Sequence, residues 1–296
     1  MWIPITLAAA TFQVVRTARQ HRLRSVLSVN GAGFVRYSFG FPLALGASLV
    51  TFVLLGNGLP SIPGRFWAIL LGAGVAQILG TQALLRAFDL RDFAVGTVYA
   101  KTEVILVAVA SAVLLGESLT PLGWLCAALV MAGVAWLAAP GRIRDIVSLS
   151  ADPAAAMGIA AGGLFAIAAV GIRAASQSLG DDPVWNRALL TLTVMLGIQT
   201  VVNGAQLAAT DRPQLAAVAR HWRQAVPVGI LSLCGSAGWA VAVTLTSAAK
   251  VRTLGQVELL IAFAISTWWL HERHTRGEFV ASGLVLVGVV GVVVVG

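Results

Sequence analysis

"LLGESLTPLGWLCAALVMAGV" (Leu114–Val134) and "WLHERHTRGEFVASGLVLVGV" (Trp269–Val289) lie 155 residues apart and carry one pattern. Superposed, they align Leu115 with Leu270, Glu117 with Glu272, Thr120 with Thr275, Leu129 with Leu284, Gly133 with Gly288 and Val134 with Val289. The same register, without a gap, reaches back to pair Glu103 with Glu258 and Gly80 with Gly235. Helices of Ala, Leu, Val and Gly resemble one another by composition alone, but composition does not keep a register. The chain reads as two related halves.

Composition says what surrounds those halves. The 296 residues are 58% hydrophobic and 11% charged, with a mean hydropathy of +0.88. A water-soluble domain carries roughly a quarter charged residues. Charge-free runs occupy 37–64, 66–85, 118–141, 154–172, 188–210 and 224–249. Each is about the length of a helix crossing a ~30 Å hydrocarbon core, which takes about 20 residues. A membrane β-barrel would alternate apolar and polar residues in short segments, and nothing here alternates. The sequence predicts an all-α integral membrane protein in the lipid bilayer. Its net charge of +8 comes from cations in short connectors, as in the cytoplasmic loops of membrane proteins, and not from a nucleic-acid surface.

Charges, prolines and glycines divide the chain into ten transmembrane helices at 2–20, 29–55, 65–86, 93–116, 119–139, 154–176, 184–208, 224–246, 249–271 and 276–296. Five fall in a first repeat (1–139) and five in a second (153–296), joined by the connector 140–152. An odd number of spans per repeat turns the second copy over in the membrane, so the expectation is two inverted five-helix repeats. Such repeats recur in transporters, with the substrate near the midplane where the copies meet.

Several helix starts are legible. Thr120 stands as an N-cap before Pro121, Thr275 and Glu278 as a capping box, and "ADPAAA" and "DDPVWN" open the sixth and seventh helices. Thirteen Lys and Arg in odd-numbered loops against five in even ones place both termini outside. Trp67, Trp124, Trp222, Trp268 and Trp269 read as interfacial anchors. Cys126 and Cys234 read as small buried apolar residues, and no cleavable signal precedes the first span.

Ionisable groups near mid-membrane are costly and mark candidate sites. Glu103 lies about 15 Å into the fourth span at 1.5 Å per residue, and Glu258 is its counterpart in the ninth. Lys101 and Gln256 correspond two residues earlier. Tyr99 shares the face of Glu103, whereas Lys101 lies about 160° round the helix from it. One reading makes Glu103 and Glu258 proton-titratable carboxylates facing each other between the repeats. The other makes them structural partners of Lys101, Arg252 or a neighbouring backbone. Gln77 and Gln82 on the third span, with Trp239 on the eighth, are further candidates to line a pathway. Gln13, Arg36, Tyr37, Ser236 and Thr244 are polar groups within spans.

Other chemistry is not encoded. "HERH" (271–274) lacks the spacing of a zinc-binding HExxH, "GAGVAQ" lacks the third glycine of a dinucleotide loop, and no nucleophile–base set appears. No enzyme, cofactor or metal site is expected. Gly158 and Gly162 form a GxxxG pair suited to close helix packing.

With its two five-span repeats, each ending in the turn and apolar helix quoted above, the chain resembles the drug/metabolite transporter superfamily, in its ten-helix EamA-like branch. "ALLRAFDLRDFAVGTVYA" and "AVTLTSAAKVRTLGQ" are also similar to that family's passage from third to fourth span. The first span departs from it, with "TFQVVRTARQ" in place of a Trp-Gly or Trp-Ser. The fourth and ninth spans lack the proline many relatives have there. The resemblance implies a metabolite carrier working by alternating access, often an exporter of amino acids, and supplies no binding residues. The expected protein is therefore a secondary transporter of a small-molecule substrate in a bacterial inner membrane. Proton coupling through Glu103 and Glu258 is an option, as is a carboxylate bound by Lys101 or Arg252. The competing class is a membrane scaffold or accessory subunit with a dry, packed centre.

Overall fold

The computed structural model describes residues 1–23, 25–90, 99–138, 153–261 and 275–296. The connector 140–152, "HERH", Trp268, Trp269 and the loop cations Arg24, Arg91, Arg142, Arg144 and Arg273 lie outside them. All regular structure among the described residues is helical: α1 (Trp2–Leu23), α2 (Val29–Ser38), α3 (Gly40–Leu49), α4 (Gly64–Leu90), α5 (Glu103–Leu115), α6 (Pro121–Ala138), α7 (Pro153–Ser178), α8 (Val184–Thr210), α9 (Pro213–Arg220), α10 (Trp222–Leu245), α11 (Ala248–Gly255) and α12 (Arg276–Val295). Six helical stretches are long and apolar enough to cross a membrane: Val29–Leu54, Gly64–Ala87, Pro153–Ser178, Val184–Thr210, Trp222–Leu245 and Arg276–Val295. Glu103–Leu115 and Pro121–Trp136 are shorter apolar helices. Large apolar side chains such as Leu54, Val113 and Val201 stand outward, as hydrocarbon solvent requires.

Local chemistry explains the boundaries. The second span is broken at Phe39, four residues after Val35, whose carbonyl takes the Phe39 N–H. Pro42 is the cause: it has no N–H for the carbonyl of Ser38, and its ring crowds that carbonyl, so α2 stops at Ser38. A π-helical turn, Val50–Leu54, ends the span. The Thr120 hydroxyl accepts the Gly123 N–H at 3.0 Å, and Thr275 and Glu278 form the expected capping box. Pro183 is the N-cap residue of α8, one position earlier than a first-turn proline. α5 ends at Gly116 in the left-handed conformation, φ 68°, where Glu117 N–H reaches back to Ser111 O. That closure needs a residue without a Cβ, which accounts for the "LGE" lettering. The short helix α9 was not foreseen. Cys126 is buried as expected, but Cys234 is exposed on α10.

Two compact units partition the chain: Met1–Ile78 with Gly171–Thr246, and Leu79–Val170 with Ser247–Gly296. Each draws on both halves of the sequence. In the first, α1 packs along α10, where Ala9 and Phe12 face Gly235, and Tyr37, Ala44, Leu192, Leu196 and Ala240 form a core. In the second, α6 and α12 run antiparallel. A Cβ at Gly133 would lie 2.8 Å from Ala281 O, and one at Gly288 would lie 2.7 Å from Cys126 O. Gly133 also faces Val285, and Gly288 faces Val130. Shifting by 155 converts each contact set into the other, so the pair packs reciprocally. Gly80 facing Leu164 likewise mirrors Gly235 facing Ala9.

Candidate functional site

The helical segments expected as the fourth and ninth spans are both interrupted, at places equivalent in the 155-residue register. Residues 99–100 are helical, Lys101 and Thr102 form a turn, and α5 begins at Glu103. In the ninth span α11 ends at Gly255, Gln256 is a turn, and 257–261 are helical again. The turns share a tight bond: Val104 N–H donates to Lys101 O at 3.1 Å, and Leu259 N–H to Gln256 O at 3.0 Å. No proline causes either break. Carbonyls at a break in a membrane helix need donors; Tyr99 O keeps one from the backbone, the Thr102 N–H at 3.2 Å, and side chains add to these. The Thr102 hydroxyl donates to Tyr99 O at 2.6 Å, and the Gln256 amide donates to Arg252 O at 3.2 Å. Gly162 of α7 admits the first break closely. A Cβ there would lie 2.7 Å from the Thr102 hydroxyl and 3.0 Å from Ala100 O and Glu103 N.

Four charges gather at the breaks, paired crosswise. The Lys101 ammonium bonds the Glu258 carboxylate. Arg252 Nη1 lies 3.3 Å from Glu103 Oε1. This second contact is an ion pair by distance but lacks hydrogen-bond geometry, so Glu103 Oε1 has no hydrogen bond. All four side chains are 12–14% exposed. In an unbroken helix Lys101 would point about 160° away from Glu103. The turn resets that phase, and both residues reach the ninth span. Arg252 lies within α11.

Gln256 is 4% exposed, and its Oε1 is buried without a partner. Tyr99 and Gln82 are buried in the same compact unit. Gln77 and Trp239 belong to the other unit. There Gln77 accepts from the Gln199 amide at 2.7 Å, and the Trp239 indole donates to Gln13 at 3.1 Å. Sequence reading passed over Gln199 and Asn203, 1% and 2% exposed, although their i, i+4 spacing in an apolar span marked a polar stripe. Arg173 lies in α7 and donates to Val243 O and Thr246 O at the end of α10. Among the described residues no cluster of His, Cys, Asp or Glu is arranged to hold a metal ion.

Six apolar helical stretches of spanning length, with two further helical segments interrupted around largely buried charges, mark a multi-pass membrane protein. Residues 153–294 match the model of the EamA-like transporter family, and there the resemblance read from the sequence is borne out. A solved crystal structure, 16% identical, has a similar fold with TM-score 0.74, covering 98% of this chain and 96% of that chain. No curated protein matches the sequence.

Proposed function

We propose that this protein is a secondary transporter that exports a small metabolite such as an amino acid across a bacterial inner membrane. It works by alternating access between two inverted repeats of five spans. The observation that carries this reading is the pair of equivalent breaks at Lys101–Thr102 and Gln256. Interrupted helices beside polar groups are how carriers build a site within the bilayer. The inverted repeat is supported by the reciprocal packing of Gly133 and Gly288, because equivalent helices that run antiparallel point opposite ways through a membrane. Crosswise ion pairs suit a structural role. The partial exposure of all four charges favours a site over a sealed scaffold.

Liposomes containing the purified protein and a pH-sensitive dye provide the test, with labelled amino acids supplied under an imposed pH gradient. Labelled substrate that moves only in protein-containing vesicles supports the carrier. Proton flux that accompanies it and disappears in Glu103→Gln or Glu258→Gln assigns the coupling. No movement of any labelled amino acid would count against the proposed cargo.

A further inference from the structure

α8 and α10 are both long and apolar enough to cross a membrane, so the short helix α9 that joins them lies at a membrane surface. Its inner side is fixed, with Val218 in one core with Leu23, Leu27 and Ala225. Its outer side is cationic: Arg212 before the helix, Arg220 in its last turn and Arg223 just beyond it are exposed. The same packing brings the end of α1 to this surface. Gln214 Oε1 accepts the Ser28 N–H at 2.8 Å, and Arg19 and Arg22, in the last two turns of α1, are exposed as well. Five exposed arginines therefore stand at one end of one compact unit, where Asp211 is the one acid among the described residues. Among those residues Arg19, Arg22, Arg212 and Arg220 have no ion pair, and Arg223 lies 5.6 Å over the exposed Trp222 ring. The opposite end of the unit is balanced. There Arg65 and Arg187 are offset in charge by Asp181 and Asp182, and Arg173 is held by the carbonyls of Val243 and Thr246.

Apolar columns continue from these cations into the bilayer. Arg19 lies one turn from the exposed Val15 on α1, and Arg223 two turns from the exposed Ile230 on α10. α1 runs antiparallel to α10, with Phe12 beside Gly235 and Leu23 in the core that holds Ala225. Both arginines thus stand at the same end of their columns. We propose that this end of the unit binds an anionic glycerophospholipid, its phosphate on Arg19 and Arg22 of α1 and on Arg220 and Arg223 of the α9–α10 corner, its acyl chains along Val15 and Ile230. Charge selects the lipid class. A net negative headgroup relieves the repulsion among the arginines, whereas a zwitterionic one brings a cation of its own. The apolar columns select a lipid over a free anion, because they stay covered by hydrocarbon while the headgroup is held. Such a lipid bridges α1 to a corner about 200 residues later in the chain, and so stabilises the unit. The inference goes beyond the carrier reading and is independent of the cargo.

The test is native mass spectrometry of the purified full-length protein in detergent, titrated with dioleoyl phosphatidylglycerol or with phosphatidylcholine of the same chains. The first phosphatidylglycerol is expected to bind about fivefold more tightly or better, the attraction of roughly one arginine at a membrane surface. Arg19→Gln/Arg22→Gln and Arg220→Gln/Arg223→Gln should each reduce that preference to about twofold or less, with the lipid-free thermal midpoint unchanged. Arg220→Lys/Arg223→Lys, which keeps both charges, should retain most of it. Arg65→Gln, which removes an exposed arginine at the opposite end, should retain all of it. Phosphatidylglycerol should also raise the wild-type midpoint more than phosphatidylcholine does, since a ligand of the folded state stabilises it.

Equal binding of the two lipids, full preference in both glutamine double variants, or an equal loss in Arg65→Gln would each overturn the proposal. So would equal midpoints in the two lipids. Glycerol phosphate, the headgroup without its chains, separates the sources of the anion. Binding as tight as that of the intact lipid would assign the cluster to a soluble phosphate and overturn the lipid site.

Discussion

Glu103 and Glu258 occupy equivalent positions in the two halves of the chain, and each is paired with a cation from the other's span. The cations are not equivalent to each other: Lys101 corresponds to Gln256, and Arg252 to Thr97. The acids therefore keep the repeat and the bases do not. A repeated sequence register carries an unequal charge pattern, with Lys101 opposite Glu258 and Arg252 opposite Glu103.

Breaking the Lys101–Glu258 pair should be expensive. Lys101→Met alone is expected to cost about 3 kcal/mol of stability, because it leaves the Glu258 carboxylate buried without its cation. The double variant Lys101→Met/Glu258→Met should recover most of that loss. Thermal midpoints of the four proteins in detergent, read as a double-mutant cycle, give the coupling directly. Additive losses would contradict the pairing.

Adjacent glycines in α7 provide an internal control. Gly162→Ala puts a methyl group against the Thr102 hydroxyl and the 100–103 backbone, and should cost about 1–3 kcal/mol together with transport. Gly163→Ala meets only Leu106, at 3.9 Å, and should be nearly silent. Midpoint and uptake measured side by side decide it. Equal effects would place the α7 contact elsewhere.

The α6–α12 pair makes a prediction about symmetry. Gly133→Ala and Gly288→Ala should destabilise by similar amounts, about 1–3 kcal/mol each, since each methyl group would meet a backbone carbonyl of the opposite helix. Gly283→Ala, with nothing within 4 Å, should change little. Thermal unfolding of the three variants tests this, and a large difference between the first two would argue against reciprocal packing.

Arg173 closes the end of α10. Arg173→Met removes the donor to Val243 O and Thr246 O, and is expected to cost about 1–3 kcal/mol. Hydrogen exchange should rise at residues 243–246 before it rises in the middle of α10. Uniform protection along the helix would show that another group caps it.

Much of the architecture was legible because it rests on properties that add up along the chain. Hydropathy marked the six stretches long enough to cross a membrane, Thr120 and Thr275 marked helix starts, and the 155-residue register led from the turn motif to Glu103 and Glu258. What escaped were features set by a single local departure. The break at Lys101–Thr102 has no proline or glycine to announce it, so an unbroken helical phase set Lys101 about 160° round from Glu103. Pro42 did announce the interruption of the second span, but it lay inside a charge-free run read as one helix. Gln199 and Asn203 were hidden by the apolar average around them.

The compact units also constrain the order in which the molecule can be made. α1 starts at Trp2, and the helix it lies along starts at Trp222; α6 has to wait for α12, which starts at Arg276. As the chain leaves the ribosome, its early helices enter the bilayer long before their partners have been translated. A nascent chain that stops at residue 139 can insert yet finish neither unit. Until the last helix arrives, the exposed glycine faces and the charged breaks are available to any other hydrophobic segment nearby. Biogenesis of this protein is thus vulnerable to premature termination in a way that its final packing conceals.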